Sequence, residues 1–210
     1  ASANKDLQHK ILETQLKLKE EELKHLKMQI HPHFLFNTLN TLYGLAIKKA
    51  DETPEMILKL SNLLDYLLYQ VDKPFVTLEE EIDHIKDYIS LEQMRFNDKL
   101  DINFSENHEL NTVKIAPMIL LPFVENSFKH GAIKQGKLKV NISIESTIET
   151  IRFVIQNNSR TEVNSNHGIG LDNIKKRLEL LYKNQYYLDI NTEGNTFKVE
   201  LNLKQITANA

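Results

Sequence analysis

Apolar positions recur along the chain with two different periods, and the change between them divides it in two. Leu12, Leu16, Leu23, Leu26 and Ile30 follow a spacing close to a coiled-coil seam, beginning in a stretch, residues 5 to 28, that holds no Gly or Pro. After Pro32 the apolar set becomes Leu35, Leu39, Leu42 and Ala46, at steps of 4, 3 and 4. The step from Ile30 to Leu35 is five, so the register slips at the proline. A second helix is predicted from Thr53-Pro54, where Pro suits the first turn, with Ile57, Leu60, Leu64, Leu67 and Val71 on one stripe. One hairpin with so narrow a seam cannot enclose a core, whereas two side by side make a four-helix bundle. This part therefore predicts a dimer; a helical linker packed on its own domain is the other reading.

Lys73-Pro74 ends the second helix, and a third is predicted over residues 77 to 97, with Glu79, Glu80 and Glu81 where the helix dipole favours acids. The period then drops to two. Leu138, Val140, Ile142 and Ile144 alternate, as do Ile151, Phe153 and Ile155, and again Phe197, Val199, Leu201 and Leu203, which predicts strands with one buried face. Two further helices are predicted over residues 117 to 131 and 171 to 183. The fold class expected is α+β: residues 1–75 as a dimerising helical hairpin, residues 76–210 as helices on a mostly antiparallel sheet.

Composition narrows the chemistry. The chain has 210 residues, 41% of them hydrophobic, enough for a real core. A net charge of −3 argues against broad adhesion to nucleic acid, which needs a concentrated basic surface. Without a single cysteine, thiol nucleophiles and thiolate zinc sites are excluded. The longest apolar run outside proline, residues 118 to 121, is far short of the roughly 20 residues of a membrane-spanning helix. The start, Ala1-Ser2-Ala3-Asn4, runs directly into the charged helical repeat and reads as a fragment of a longer protein.

Three segments carry candidate chemistry. The first is Gln29-Ile30-His31-Pro32-His33-Phe34-Leu35-Phe36-Asn37. His33 and Asn37 are four apart and share a helix face, while Leu35 lies about 200° round from His33, which directs the imidazole to solvent. A neutral, exposed imidazole is a competent nucleophile towards phosphorus; two surface histidines beside a helix kink are the plain alternative. The second is Leu121-Pro122-Phe123-Val124-Glu125-Asn126-Ser127-Phe128-Lys129-His130-Gly131. Oxygen ligands here suit magnesium, and Lys129 offers charge for phosphates; polar residues ending a helix at a glycine explain the segment equally. The third, His167-Gly168-Ile169-Gly170-Leu171-Asp172-Asn173, leads into a helix whose N-terminus can hold phosphate; a flexible loop accounts for it as well.

Taken in order, these segments resemble the LytS-like branch of sensor histidine kinases, over residues 26 to 203. The resemblance implies a dimerisation and phosphotransfer hairpin followed by a Bergerat-type (GHKL) ATP-binding sandwich, with ATP and Mg2+ as cofactors. It implies His33, not His31, as phosphoacceptor, Asn126 as magnesium ligand, Lys129 and His130 near the phosphates, and Gly168 and Gly170 as the glycine box. Catalytic roles are expected for His33, Asn37 and Glu125, the last polarising His33 or ordering water. It also implies a homodimer, a response regulator whose aspartate receives the phosphate, and a longer protein anchored in a membrane with this portion cytoplasmic. Two departures stand out. Phe34 follows the phosphoacceptor where many kinases carry an acid, and Asn157 stands where an Asp binds the adenine amino group. Asn157 still offers an amide oxygen, and Asn157→Asp is expected to strengthen that bond. The same departures motivate a rival reading, a non-catalytic dimeric scaffold or phosphatase-biased pseudokinase that binds ATP poorly. A nucleotide-driven ATPase of the wider superfamily ranks last, since it gives His33 no role.

Overall fold

The computed structural model describes residues 9, 12, 13, 16, 32–69, 73–108, 113–159 and 169–205. Two helices, α1 (Pro32–Ile47) and α2 (Thr53–Leu68), form the hairpin. There follow β1 (Val76–Thr77), α3 (Leu78–Phe96), β2 (Leu100–His108), β3 (Lys114–Ile115) and α4 (Leu121–His130). The chain then forms β4 (Leu138–Ser146), β5 (Thr150–Asn158), α5 (Ile169–Tyr182), β6 (Tyr186–Glu193) and β7 (Thr196–Lys204). The α+β class is as expected. The principal sheet has the order β2-β4-β5-β7-β6, with β2 parallel to β4 and every other pairing antiparallel.

The three alternating runs read from the sequence are its central strands, and their inward residues Val140, Ile142, Ile144, Phe153, Ile155, Val199 and Leu201 are buried. Helices cover that face: Phe123 of α4 meets Phe153 of β5 with ring centroids 6.0 Å apart. The edge strands β2 and β6 complete the sheet. Their apolar residues Ile102, Phe104, Leu188 and Ile190 are only partly buried, so their alternation is short and mixed with charge.

Local chemistry sets the helix ends. Thr77 caps α3 through a capping box: its Oγ1 accepts from the Glu80 N–H at 3.1 Å, and Glu80 Oε2 accepts from the Thr77 N–H at 2.8 Å. The helix expected from residue 117 begins only at Leu121, because residues 117 to 120 form a turn whose N–H groups bond elsewhere. Gly131 ends α4 against β4, where a Cβ would overlap the Ser127 carbonyl oxygen and the Leu138 side chain. No other residue fits there without movement.

The hairpin packs on α3 of its own chain. Phe34, Thr38 and Leu42 of α1 are buried, as are Leu60, Leu63, Tyr66 and Leu67 of α2. Of the stripe expected from spacing alone, Leu42, Leu60 and Leu67 are buried, whereas Leu39 and Ile57 are exposed and Leu35 and Leu64 only partly buried. The reason is the third helix, against which the first two turns of α1 bury Phe34 and Thr38 in place of Leu35 and Leu39. A second apolar face remains uncovered in the single chain, with Phe36, Tyr43, Ile47 and Tyr69 each 66–70% exposed. Leu12 and Leu16 are helical and exposed, while Leu23, Leu26, Ile30 and Val71 lie outside the described residues. Among the described residues, no helix is long and apolar enough to cross a membrane.

Candidate functional site

His33 sits in the first turn of α1 and is exposed. One turn on, the Asn37 amide nitrogen lies 3.1 Å from its Nδ1 and 3.3 Å from its Nε2. The shared face read from the four-residue spacing is therefore a contact, and the amide fixes the ring. Phe34 points the other way. It is buried, and its ring lies 4.7 Å from that of Tyr88 on α3. The position next to the imidazole is thus an anchor for α1, and an acid there would enter the core.

The second segment forms α4, whose start is fixed from a distance. Glu81 of α3 is fully buried. Its Oε1 accepts from the Leu120 N–H and its Oε2 from the Met118 N–H, both at 2.9 Å, and the Tyr66 hydroxyl of α2 donates to Oε2. Arg177 of α5, also buried, donates to the Pro117 and Met118 carbonyl oxygens at 2.6 Å each. The free N–H groups that every helix start leaves are satisfied here by a carboxylate from another helix. Burial, followed by the nearby Glu81, holds the Tyr66 hydroxyl far above the usual phenol range, so it remains a donor. His84, stacked on Tyr66 at 3.8 Å, is pushed below the usual imidazole range by burial and stays neutral. Hairpin, α4 and α5 meet at this one carboxylate.

Along α4, Glu125, Asn126 and Ser127 are buried, and Lys129 and His130 exposed. A cavity of about 820 Å3 opens between α1, α3 and α4, and its wall includes His33, Glu92, Arg95, Glu125 and Lys129. Aromatic rings of Phe34, Tyr88, Phe96 and Phe128 supply its apolar lining. Three residues singled out in the sequence, His33, Glu125 and Lys129, thus share one cavity although they are some 90 positions apart. Glu92 and Arg95 were not foreseen. Their only signal is an acid and a base three apart on a helix, common on solvated faces, yet Glu92 is buried. Burial first, opposed by Arg95, raises its carboxyl above the usual range.

Asn126 is one residue on from Glu125, about 100° round the helix, and is not on this cavity's wall. Asn157, at the end of β5, is 2% exposed. Its Nδ2 donates to the Asn158 carbonyl oxygen at 2.8 Å, while its Oδ1 is buried with no hydrogen-bond partner among the described residues. That strand end is tied to the end of α4 by the Ala132 N–H donating to the Asn158 oxygen at 2.8 Å and by pairing of Gly131 with Ser159. A buried acceptor without a donor is costly, and the exocyclic amino group of adenine would supply one. Gly170 lies in the first turn of α5; Gly168 and His31 lie outside the described residues. Among the described residues, no cluster of three acids or histidines could hold a metal unaided. The side-chain oxygen of Asn126 fits an ion that takes few protein ligands and completes its shell with phosphate and water.

Residues 21–100 match the family model described as histidine kinase. The chain is 31% identical over 205 aligned residues to the sensor histidine kinase/phosphatase LytS of Staphylococcus aureus strain MRSA252, and equally to that of strain Mu50. Those alignments cover 88% of this chain and 35% of each relative, so the chain spans about a third of their length. Among solved structures, the histidine kinase domain of the blue-light activated kinase EL346 from Erythrobacter litoralis matches with a TM-score of 0.50 at 11% identity, covering 87% of this chain and 93% of that domain. At that identity the likeness is one of fold.

Proposed function

We propose that this chain, which is similar to the LytS sensor kinases and matches the histidine kinase family model at residues 21–100, transfers the γ-phosphoryl group of ATP to His33 and then to an aspartate of a response regulator. The observation that carries the proposal is the placement of His33: exposed, held by Asn37, and sharing a cavity with Glu125 and Lys129 of α4. In the reaction a ring nitrogen of neutral His33 forms a bond to the γ-phosphorus, the bond from that phosphorus to the bridging oxygen breaks, and ADP leaves with the electron pair. The proton on the other ring nitrogen must depart, and Glu125 is the acceptor assigned here. Lys129 offsets phosphate charge, and catalysis is largely positioning and electrostatics. Magnesium, held through Asn126, would neutralise charge on the phosphate oxygens. His130, Gly168 and Gly170 are assigned to the phosphates, and Asn157 to the adenine.

The test is to incubate the chain with Mg2+ and ATP labelled at the γ-phosphate. Label lost in acid and kept in base is phosphohistidine and supports the proposal. Absence of label, with ATP bound, would favour a scaffold or phosphatase reading, which the uncharged Asn157 and the core position of Phe34 motivate.

Asn157→Ala is expected to weaken ATP binding by roughly 1 kcal/mol, about fivefold, by removing one acceptor from the base. Asn157→Asp gains less than the sequence alone suggests. Its second oxygen would face the Asn158 carbonyl, to which the amide now donates. Calorimetry decides: an Asn157→Ala chain that binds ATP as the parent does removes this residue from the adenine site.

We assign the homodimer to the uncovered face of the hairpin, with Phe36, Tyr43 and Ile47 of α1 beside Ile57 and Leu68 of α2. These five exposed side chains on two helices form a seam that a second copy would bury. Light scattering at tens of micromolar should give twice the chain mass, and Tyr43→Glu should halve it with the fold retained. A parent that is monomeric at that concentration would contradict the assignment.

A further inference from the structure

We propose that Arg95 is a phosphate-binding residue of the His33 cavity, holding the phosphoryl group together with Lys129, and that Glu92 positions its guanidinium; this rests on the reading of His33 as phosphoacceptor. Three independent observations carry it. Arg95 lines the same cavity as His33 and Lys129, so the two cations and the nucleophile enclose one space. Its Nη2 is held by Glu92, and its guanidinium lies 4.6 Å over the Phe96 ring, which leaves the planar fork with little freedom. Its Nε–H is buried with no hydrogen-bond partner among the described residues.

A donor kept buried without an acceptor fits an anion that comes and goes, and a guanidinium presents paired N–H groups that match phosphoryl oxygens. Glu92 is itself fixed. It is 2% exposed and receives the Tyr88 hydroxyl at 3.3 Å. Tyr88 in turn packs on Phe34, the residue after His33. The nucleophile and the guanidinium are therefore set by one chain of contacts, from His33 through Phe34, Tyr88 and Glu92 to Arg95. When the bond between phosphorus and the His33 nitrogen forms and ADP departs, the group left on the ring carries negative oxygens inside this cavity. Arg95 and Lys129 are the cations placed there to receive them.

The experiment uses the chain described here with Mg2+ and labelled ATP, and measures nucleotide affinity separately. Arg95→Gln should slow labelling of His33 about a hundredfold, the scale of removing one preorganised donor, with ATP affinity changed less than about threefold. Arg95→Lys should recover part of the rate, since charge is kept and the fork lost. A purely structural arginine would shift rate and affinity together, or neither. A second measurement stands even if Arg95→Gln fails to fold: treat the parent with phosphoramidate, which phosphorylates histidine without ATP, and follow the Arg95 Nε–H resonance by NMR. It should shift on phosphorylation of the parent and not in His33→Gln. Parent-like labelling in a folded Arg95→Gln chain, or an Arg95 resonance unmoved in phosphorylated parent, overturns the inference while leaving His33 as acceptor. A parent that takes no label on His33 overturns both.

Discussion

Glu81→Ala is expected to lower the stability of the chain by about 3–5 kcal/mol, the summed cost of leaving several interior donors without their acceptor. The substitution strips acceptors from the Met118 and Leu120 N–H groups and from the Tyr66 hydroxyl, all in the interior. Each unsatisfied donor costs about 1–3 kcal/mol, partly offset where water enters. For a chain of this size the loss corresponds to a fall of roughly 10 °C in Tm. Tyr66→Phe removes the hydroxyl's bond to the carboxylate and its share of the Met118 N–H, which keeps Glu81 as acceptor, so about 1 kcal/mol is expected. The damage has a direction as well as a size. Glu81 fixes the start of α4, on which Glu125, Asn126 and Lys129 stand, so surviving Glu81→Ala protein should label poorly even below its melting temperature. Thermal unfolding followed by circular dichroism checks this; a Glu81→Ala midpoint equal to the parent's would mean that the α4 start does not depend on this carboxylate.

The three adjacent acids show where reading the sequence succeeds and where it stops. Glu79, Glu80 and Glu81 all suit a helix N-terminus by dipole, and α3 does begin there. Their roles then diverge with the 100° turn per residue. Glu79 is exposed, Glu80 closes the capping box, and Glu81 is buried under another helix. Nothing local separates Glu81 from its neighbours, because its partners are 15 to 39 residues away. Strands with strict alternation were legible for the opposite reason, that burial on one face is written in period two. Edge strands, covered on fewer sides, carry a weaker form of that signal.

The site divides in the same way. His33 and Asn37 were paired by a spacing that a single helix converts into contact, and the structure has them within 3.3 Å. Glu125 and Lys129 were found as part of a dense segment. Arg95 was not, since an arginine three residues after a glutamate is indistinguishable from an ordinary surface pair until α1 and α4 close over it. The hairpin stripe holds at Leu42, Leu60 and Leu67 and fails at Leu39 and Ile57, because spacing alone omits α3, on which the hairpin packs. What remains exposed is the face available to a second copy.

His33 is the residue proposed to take the phosphate. Its replacement should therefore abolish labelling, by at least roughly a thousandfold, the scale of deleting a nucleophile, because a glutamine amide cannot attack phosphorus. The side chain is exposed, while Phe34, which anchors the helix, is untouched. ATP binding, proposed for Asn126 and Asn157, should persist, since neither borders the His33 cavity. The decisive measurement is acid-labile, base-stable labelling from γ-labelled ATP in three chains side by side: the parent, His33→Gln and His31→Gln, each with its ATP affinity recorded. Label is expected in the parent and in His31→Gln, none in His33→Gln, and parent-like ATP affinity in all three. Label that persists in His33→Gln and vanishes in His31→Gln would contradict the assignment of His33, and equal labelling of both variants would place the phosphate elsewhere in the chain.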